Sequence, residues 1–540
     1  MTLVSTLRTG MSVGWSVLAP AATGLARTIG NRGMALWSVE REKGQTYRSA
    51  DEIIDHNLIE WSLEQTRKDA QDPVRVRAIL EAAKQRSFLD NYNPAGGGSE
   101  YVQGLTYSEC ATLLNVDVKN HDLMSEIIET AFNIKERIYG NRIVLFAPLY
   151  IANYCVNNCT YCAFRSGNKD IERSSLNEQQ LREEVEALQK QGHRRLLVLT
   201  GEHPKYPFDD FLKALHTIAE TRSEPCGQIR RCNVEIPSLS LSDMKRLKAT
   251  DVVGTYTLFQ ETYHRPTFKE MHLSGPKSHF DNRLLTHDRA MRAGLDDVGI
   301  GTLFGLYDYR YEVMAMLMHA NHLEAEYGAG PHTISVPRMR AADGSEMSIA
   351  PPYEVDDENF KKLVAILRIA VPYTGMILST RESPEMRREL LRVGMSQMSA
   401  GSKTDVGAYH RHDDAVTREA LGKMSGQFSL LDERPVNQVI LDLMKQGYVP
   451  SWCTACYRKN RTGEHFMKIA KAGNIHNFCH PNSLLTLQEY LNDYGTPEEK
   501  QVGEELIKEE SSRGFMSESA VRLLERKLKK VNKGEHDVFI

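Results

Sequence analysis

Cys155, Cys159 and Cys162 lie in the run Tyr-Cys-Val-Asn-Asn-Cys-Thr-Tyr-Cys-Ala-Phe, spaced C-x3-C-x2-C. Three thiols this close cannot all pair with one another in disulfides. They can cap three corners of a 4Fe-4S cube and leave the fourth iron without a protein ligand. An open iron can bind and reduce a small molecule, so this spacing points to catalysis more than to electron storage. A structural zinc site lacking its fourth ligand is the competing reading, although zinc sites usually show paired C-x2-C hooks. A second group, Cys453, Cys456 and Cys479, is spaced C-x2-C-x22-C. Spacing alone leaves two readings open there. One is another cube with an open corner; the other is a zinc site completed by His465, His476 or His480. Cys110, Cys226 and Cys232 stand alone and read as small buried hydrophobes.

The elements that must position these thiols alternate regularly. From Arg142 onward, strand-like runs fall at Arg142–Ala147, Arg195–Thr200, Cys232–Ile236, Gly254–Phe259, Val298–Phe304, Thr333–Pro337, Gly375–Thr380 and Met395–Ala400. Helical patterns fill the gaps, such as Asn177–Gln191 with Leu181, Val185 and Leu188 on one face. Others cover Phe208–Thr221, Ser242–Ala249, Asp281–Arg292, Arg310–Tyr327, Asp357–Ala370 and Pro384–Arg392. Strands alternating with helices imply a parallel sheet, and eight such units close an α/β barrel of the (β/α)8 TIM type. An open barrel of six units is the alternative, and the Gly375 and Met395 strands favour closure. Chemistry in such barrels sits at the C-terminal ends of the strands. The first triad follows the first strand directly, so it belongs at that end. The chain then divides into a leader (1–45), an N-terminal helical extension (46–135), the barrel (136–405) and a mainly helical C-terminal domain carrying the second triad (406–540).

The first motif, with Tyr161 before its last cysteine, resembles the signature of the radical S-adenosylmethionine (SAM) enzymes. In that family an electron enters the cluster and cleaves SAM to methionine and a 5′-deoxyadenosyl radical. The resemblance extends to other runs. Thr200-Gly201-Glu202 resembles the glycine–glutamate motif beside the SAM ammonium, with Thr200 in place of the usual first glycine. Gly299-Ile300-Gly301 resembles the glycine motif near the adenine. Asn233, Glu235, Gln260 and Glu261 are candidate ribose or substrate contacts. With the second triad included, the chain resembles the HydG family of tyrosine lyases that mature FeFe-hydrogenase. Supporting runs are Cys-Thr-Ala-Cys-Tyr-Arg-Lys at 453–459, Arg-Thr-Gly-Glu-His-Phe-Met at 461–467 and Phe-Gln-Glu-Thr-Tyr-His at 259–264. Ser-Val-Pro-Arg at 335–338 and Ser-Thr-Arg-Glu at 379–382 add to them. Asn460 departs from the expected glycine. The similarity spans roughly residues 50–490.

That resemblance implies Cα–Cβ scission of L-tyrosine to p-cresol and dehydroglycine. It implies breakdown of the fragment at a second, auxiliary iron–sulfur cluster to carbon monoxide and cyanide, ligands for the hydrogenase active site. It further implies an extra iron at that cluster, for which His264 is nominated in competition with His410 and His412. Arg381 is expected to hold the tyrosine carboxylate, with Ser399 or Ser402 adding a hydroxyl. A ferredoxin-like electron donor and other hydrogenase maturation factors are the implied partners. Two alternatives remain. One is a lyase like ThiH, the 2-iminoacetate synthase of thiamine thiazole synthesis, in which the second triad would be zinc-bound. The other is a non-catalytic iron-cluster scaffold.

The composition is that of an ordinary globular enzyme: 26% charged, 41% hydrophobic, formal net charge -4 over 540 residues. Such a charge gives no hint of a nucleic-acid partner. No apolar run reaches the length needed to cross a bilayer, and the longest, Trp15 to Ala26, is broken by Pro20 and Gly24. The first 39 residues hold Arg8, Arg27 and Arg32 but no acid before Glu40. This basic, Ser-rich start reads as a transit peptide, which predicts an organellar matrix: hydrogenosome, mitochondrion or plastid. Beyond Thr496 the chain is rich in Lys and Glu and reads as solvated helices.

Overall fold

Arg142–Ala152 forms an eleven-residue strand, β1, that runs the full height of the molecule. Seven further strands follow: β2 (Arg195–Thr200), β3 (Arg231–Glu235), β4 (Val253–Thr257), β5 (Val298–Gly301), β6 (Thr333–Ser335), β7 (Gly375–Leu378) and β8 (Gln397–Ser399). All pair in parallel with their sequence neighbours. β8 returns to β1, with Val144 opposite Gln397 and Phe146 opposite Ser399, and this pairing closes the barrel. The structure is a computed structural model, and it describes residues 44–86, 104–410, 426–472, 474–514 and 516–540. The expected leader lies almost wholly outside these residues, as does His412.

All eight strands expected from the sequence form, and closure prevails over the six-unit alternative. β1 is longer than its sequence signal. Pro148–Ala152, beyond the expected end at Ala147, continues the strand and pairs with β2. A ninth strand, β9 (Val449–Ser451), was not evident from the sequence. It pairs in parallel with Arg142–Val144, the part of β1 that β2 leaves unpaired because β2 joins only from Ala147.

Helices cover the outside, as parallel strands buried on both faces require. Glu178–Lys190 begins at a capping box between Asn177 and Gln180 and buries Leu181, Val185 and Leu188. The segment expected as one helix over Asp281–Arg292 is two, Phe280–Leu284 and Thr286–Arg292. The N-terminal extension is helical and ends in His121–Tyr139, which packs on Asp357–Ala370. Among the described residues six α-helices lie from Val436 onward, including Cys479–Tyr494, Pro497–Ser512 and Glu518–Val531. Among the described residues no helix is long and apolar enough to cross a membrane.

Residues 426–434 lie across the C-terminal end of the barrel. The amides of Leu431 and Asp432 both bond the Thr380 carbonyl, at 3.0 and 3.2 Å, and that of Ser429 bonds the Ala341 carbonyl at 2.9 Å. Asp432 anchors the segment. Its carboxylate is fully buried against Arg387, itself buried, and against Arg434 at 2.7 Å. Removing one partner of a buried pair strands the other charge. Asp432→Ala is therefore expected to lower stability by about 3–5 kcal/mol, measured by urea unfolding. A loss below about 1 kcal/mol, the scale of a surface pair, would contradict this anchoring role.

Candidate active site

The first triad occupies the loop leaving β1 at the C-terminal end of the barrel. Arg173 staples this loop: Nη1 donates to the carbonyls of Asn153 and Phe164 at 2.8 and 2.7 Å, and Nη2 to those of Arg165 and Asn168 at 2.7 and 3.2 Å. Gly201, at the end of β2, makes the loop's approach possible. A Cβ there would lie 2.3 Å from the Tyr154 carbonyl oxygen. The amide of Val156 bonds the Glu202 carbonyl at 2.8 Å. The Asn157 amide bridges the two segments, donating to Glu202 Oε2 at 2.7 Å and lying 3.7 Å from Cys155 Sγ. Gln427, from the segment that lies across the barrel end, holds Cys162 Sγ at 3.7 Å and accepts from the Tyr150 hydroxyl at 2.8 Å. Thiolate sulfurs with amide donors suit a cube. Cys155, Cys159 and Cys162 fit that group, and Glu202 stands where a SAM ammonium would need a carboxylate.

Tyr161 points into a buried pocket with Cys159, Leu303, Leu306 and Met339. His272 donates from Nδ1 to the Phe268 carbonyl at 2.7 Å, so Nε2 accepts from the Tyr161 hydroxyl at 2.8 Å. Burial holds His272 neutral, with its pKa lowered to about 3. Glu261 has φ 72 and is tied to Lys277 at 2.6 Å and Arg283 at 3.3 Å. Burial pushes Glu261 up, but these two cations outweigh it and the net shift is downward. Thr200 bonds the carbonyl of Gly201 at 3.0 Å.

Beside the triad is a cavity of ≈ 100 Å³ walled by Phe146, Tyr150, Leu199, Phe259 and Phe428, with Glu235, Arg381 and Ser399 among its polar lining residues. Burial, then the charge of Glu261, lifts Glu235 to about 7. The Arg381 guanidinium stacks on Phe428 at 3.3 Å, and among the described residues its one hydrogen bond is a long one, 3.5 Å, to the Arg338 carbonyl. That fork is held flat and left available for a carboxylate. Gly299 and Gly301 lie on β5, where neighbouring strands leave no room for a Cβ. A Cβ at Gly299 would meet Thr333 Oγ1 at 2.5 Å and Thr257 Oγ1 at 2.7 Å, and one at Gly301 would meet Phe259 at 2.6 Å. Barrel packing therefore requires glycine at both positions.

The second triad lies at the opposite end. β9 delivers Cys453 beneath β2, where Arg195 donates to the Cys453 carbonyl at 2.6 Å. Cys453, Cys456 and Cys479 border a cavity of ≈ 60 Å³ shared with Arg142, Arg195, Arg231, His332 and Tyr457. A hydrogen bond from Cys456 and the charge of Arg142 hold Cys479 low, while burial raises Cys453. Burial draws Arg195 down to about 10 and Arg231 well below its ordinary value. The donor set fits a cube. It does not fit the zinc reading: His476 bonds the Arg137 carbonyl at 2.5 Å, His480 faces Glu510, and His465 is exposed. Among the described residues no three His, Cys, Asp or Glu side chains converge as a single ion requires.

The nomination of His264 is corrected by this arrangement. His264 follows β4 at the first triad's end, stacked on Tyr307 at 3.7 Å and bonded to Thr267 at 2.9 Å. His332, which precedes β6, is the histidine at the second cavity. Burial, then Arg231, holds it neutral, and Nδ1 lies 3.5 Å from Asp297. His410, the other described competitor, bonds Glu184 through its backbone amide at 2.6 Å and faces Glu183.

Comparison with known proteins agrees with this geometry. Residues 149–319 match the Radical SAM superfamily and residues 335–449 the Biotin and Thiamin Synthesis associated domain. A crystal structure of HydG, a maturase of the FeFe-hydrogenase, superposes with a TM-score of 0.81 at 46% identity, over 91% of this chain and 100% of that one. HydG from Carboxydothermus hydrogenoformans gives 0.72 at 35%, over 89% and 99%. The 2-iminoacetate synthase of Salmonella typhimurium is 33% identical over 333 residues, 61% of this chain and 83% of the enzyme. This chain is a HydG-like radical SAM enzyme of the tyrosine lyase family. Its family cofactors are a 4Fe-4S cluster and SAM, and the associated domain implies an auxiliary cluster.

Several groups were missed in the sequence: Arg173, Asn157, Gln427 and Phe428 at the first end, and His332 with the three arginines at the second. The arginines had a visible signal, since each opens or adjoins the start of an expected strand. Gln427 had none, because only the fold brings it to Cys162.

Two outcomes follow for this site. Burial raises all three thiols of the first triad, Cys159 to about 12, so iron must displace three protons. Anaerobic loading of that triad, followed by its visible absorbance, should be faster at pH 9 than at pH 7, and a rate independent of pH would contradict the shift. Arg381→Ala should raise KM for tyrosine about tenfold or more, the scale of a lost charged hydrogen bond. SAM affinity should stay unchanged; equal loss of both would remove the assignment.

Proposed function

We propose that this enzyme cleaves L-tyrosine between Cα and Cβ, giving p-cresol and dehydroglycine. The fragment's conversion to carbon monoxide and cyanide, ligands for the FeFe-hydrogenase active site, is assigned to the far end of the barrel. The observation that carries this reading is the assembly of Cys453, Cys456 and Cys479 around their own cavity at that end. The 46% identity to HydG across its whole length supports it.

When bound at the first triad, the cube and SAM supply a primary carbon radical, and the protein positions and shields that chemistry. Arg381 takes the tyrosine carboxylate through its two nitrogens, and Ser399 offers a hydroxyl nearby. Phe146, Tyr150 and Phe259 enclose the aromatic ring. Phe428 and Gln427, from the 426–434 segment, exclude water from a site where a radical would otherwise attack solvent-exposed groups. Glu235, with its pKa near 7, can hold or release a proton at the substrate amino group. At the other end His332, neutral and with Nδ1 3.5 Å from Asp297, is the side chain placed to hold an extra iron.

A reductant of ferredoxin type and other maturation factors complete the proposal. So does an organellar matrix location, supported by the acid-free composition of the first 39 residues. The second reading is 2-iminoacetate synthesis alone, favoured by the 33% identity to the Salmonella enzyme.

The loaded enzyme, given dithionite, SAM and tyrosine, should release p-cresol and 5′-deoxyadenosine, then carbon monoxide and cyanide. Cys479→Ala should leave p-cresol formation within about twofold and abolish carbon monoxide. Formation of p-cresol without either gas in the unaltered enzyme would favour the second reading. Absence of p-cresol would remove both.

A further inference from the structure

Gln427 touches both the first triad and the cavity beside it. Its side-chain Nε2 lies 3.7 Å from Cys162 Sγ, and its Oε1 accepts from the Tyr150 hydroxyl at 2.8 Å. One amide orientation serves both contacts, since a thiolate sulfur only accepts and a neutral phenol donates. Burial keeps Tyr150 neutral, with its pKa raised well above the ordinary value. Tyr150 is 4% exposed and walls the cavity together with Phe428 and Arg381. Phe428, the next residue after Gln427, carries the Arg381 guanidinium on its ring at 3.3 Å. Backbone bonds fix the pair. The Gln427 amide donates to the Thr404 carbonyl at 3.2 Å, and the Gln427 carbonyl accepts from Ala163, the residue after Cys162, at 3.4 Å. Two consecutive residues thus meet a cluster-binding sulfur, a cavity hydroxyl and the fork available for a carboxylate.

Hydrogen bonds to the sulfurs of an iron–sulfur cluster tune its reduction potential. A donor stabilises the reduced, more negative state and so raises that potential. Linked hydrogen bonds also polarise one another. A phenol donating to Oε1 therefore makes Nε2 a stronger donor to Cys162. A substrate that fills the cavity keeps water from the Tyr150 hydroxyl and lowers the local dielectric, which strengthens both bonds.

We propose that Gln427 is a positioning residue that couples the substrate cavity to the first cluster: through Tyr150, an occupied cavity strengthens the hydrogen bond on Cys162 and makes the cluster easier to reduce. The electron is then accepted most readily with substrate in place, which limits formation of a radical that has nothing to attack except the protein. The identity of the substrate rests on the function proposed above. The link from Tyr150 through Gln427 to Cys162 rests on the geometry alone.

The test is a redox titration of the full-length, iron- and sulfide-loaded enzyme without SAM, followed by EPR. The first cluster's signal is the one that changes when SAM is added to a parallel sample. Gln427→Leu should lower its midpoint by roughly 59 mV, a tenfold change in a one-electron equilibrium. Tyr150→Phe should lower it by less, and should add nothing in the Gln427→Leu background. L-Tyrosine should raise the midpoint of the unaltered enzyme and leave that of Gln427→Leu unmoved. An unchanged midpoint in Gln427→Leu, or a full effect of Tyr150→Phe in that background, would overturn the link. So would loss of first-cluster iron in both single variants, since the amide would then serve assembly alone. Tyrosine that binds by equilibrium dialysis without moving the midpoint of the unaltered enzyme would overturn the coupling. Tyrosine that does not bind would instead remove the tyrosine reading, and the ligand-free midpoints would decide the link by themselves.

Discussion

The pairing of β1 with three different strands is the constraint on which both ends of the molecule depend. Its middle residues, Val144–Phe146, close the barrel against β8. Its other edge takes β2 from Ala147 upward and β9 from Val144 downward. The same strand thus delivers Cys155 at one end and Arg142 at the other, and seats the short strand that leads into Cys453. An edge left open below β2 would expose unpaired backbone groups, and β9 satisfies them. Any change that slid β1 by one residue would turn every one of these contacts to the wrong face.

Eleven residues of strand span roughly 36 Å, and a barrel tilt near 36° leaves on the order of 30 Å along the axis. The two triads are therefore separate environments. The first has amide donors on its sulfurs, a carboxylate beside it and an aromatic pocket shut by a segment anchored at Asp432. The second has arginines, a neutral histidine and little room. This division of size and charge follows from which residue types stand at the two ends of the same strands.

Much of this was legible in the sequence. The eight barrel strands and the placing of Cys155, Cys159, Cys162, Glu202 and Arg381 at their C-terminal ends follow from alternation and strand order alone. β9 was not legible, because three residues with a proline in the middle carry no strand signal until β1 offers an edge. Missing β9 led to the error over His264. A residue after a strand was placed at the top correctly, but nothing in the spacing of Cys453, Cys456 and Cys479 says that they emerge at the bottom. His332, lying before a strand, was the residue to look for.

The separation of the two clusters is the most direct measure of this account. Pulsed EPR on the doubly loaded, reduced enzyme should give a cluster-to-cluster distance on the order of 25–30 Å, set by the tilted length of β1. A distance under about 15 Å, with the strong magnetic coupling that accompanies it, would place both triads at one end and contradict the two-ended barrel.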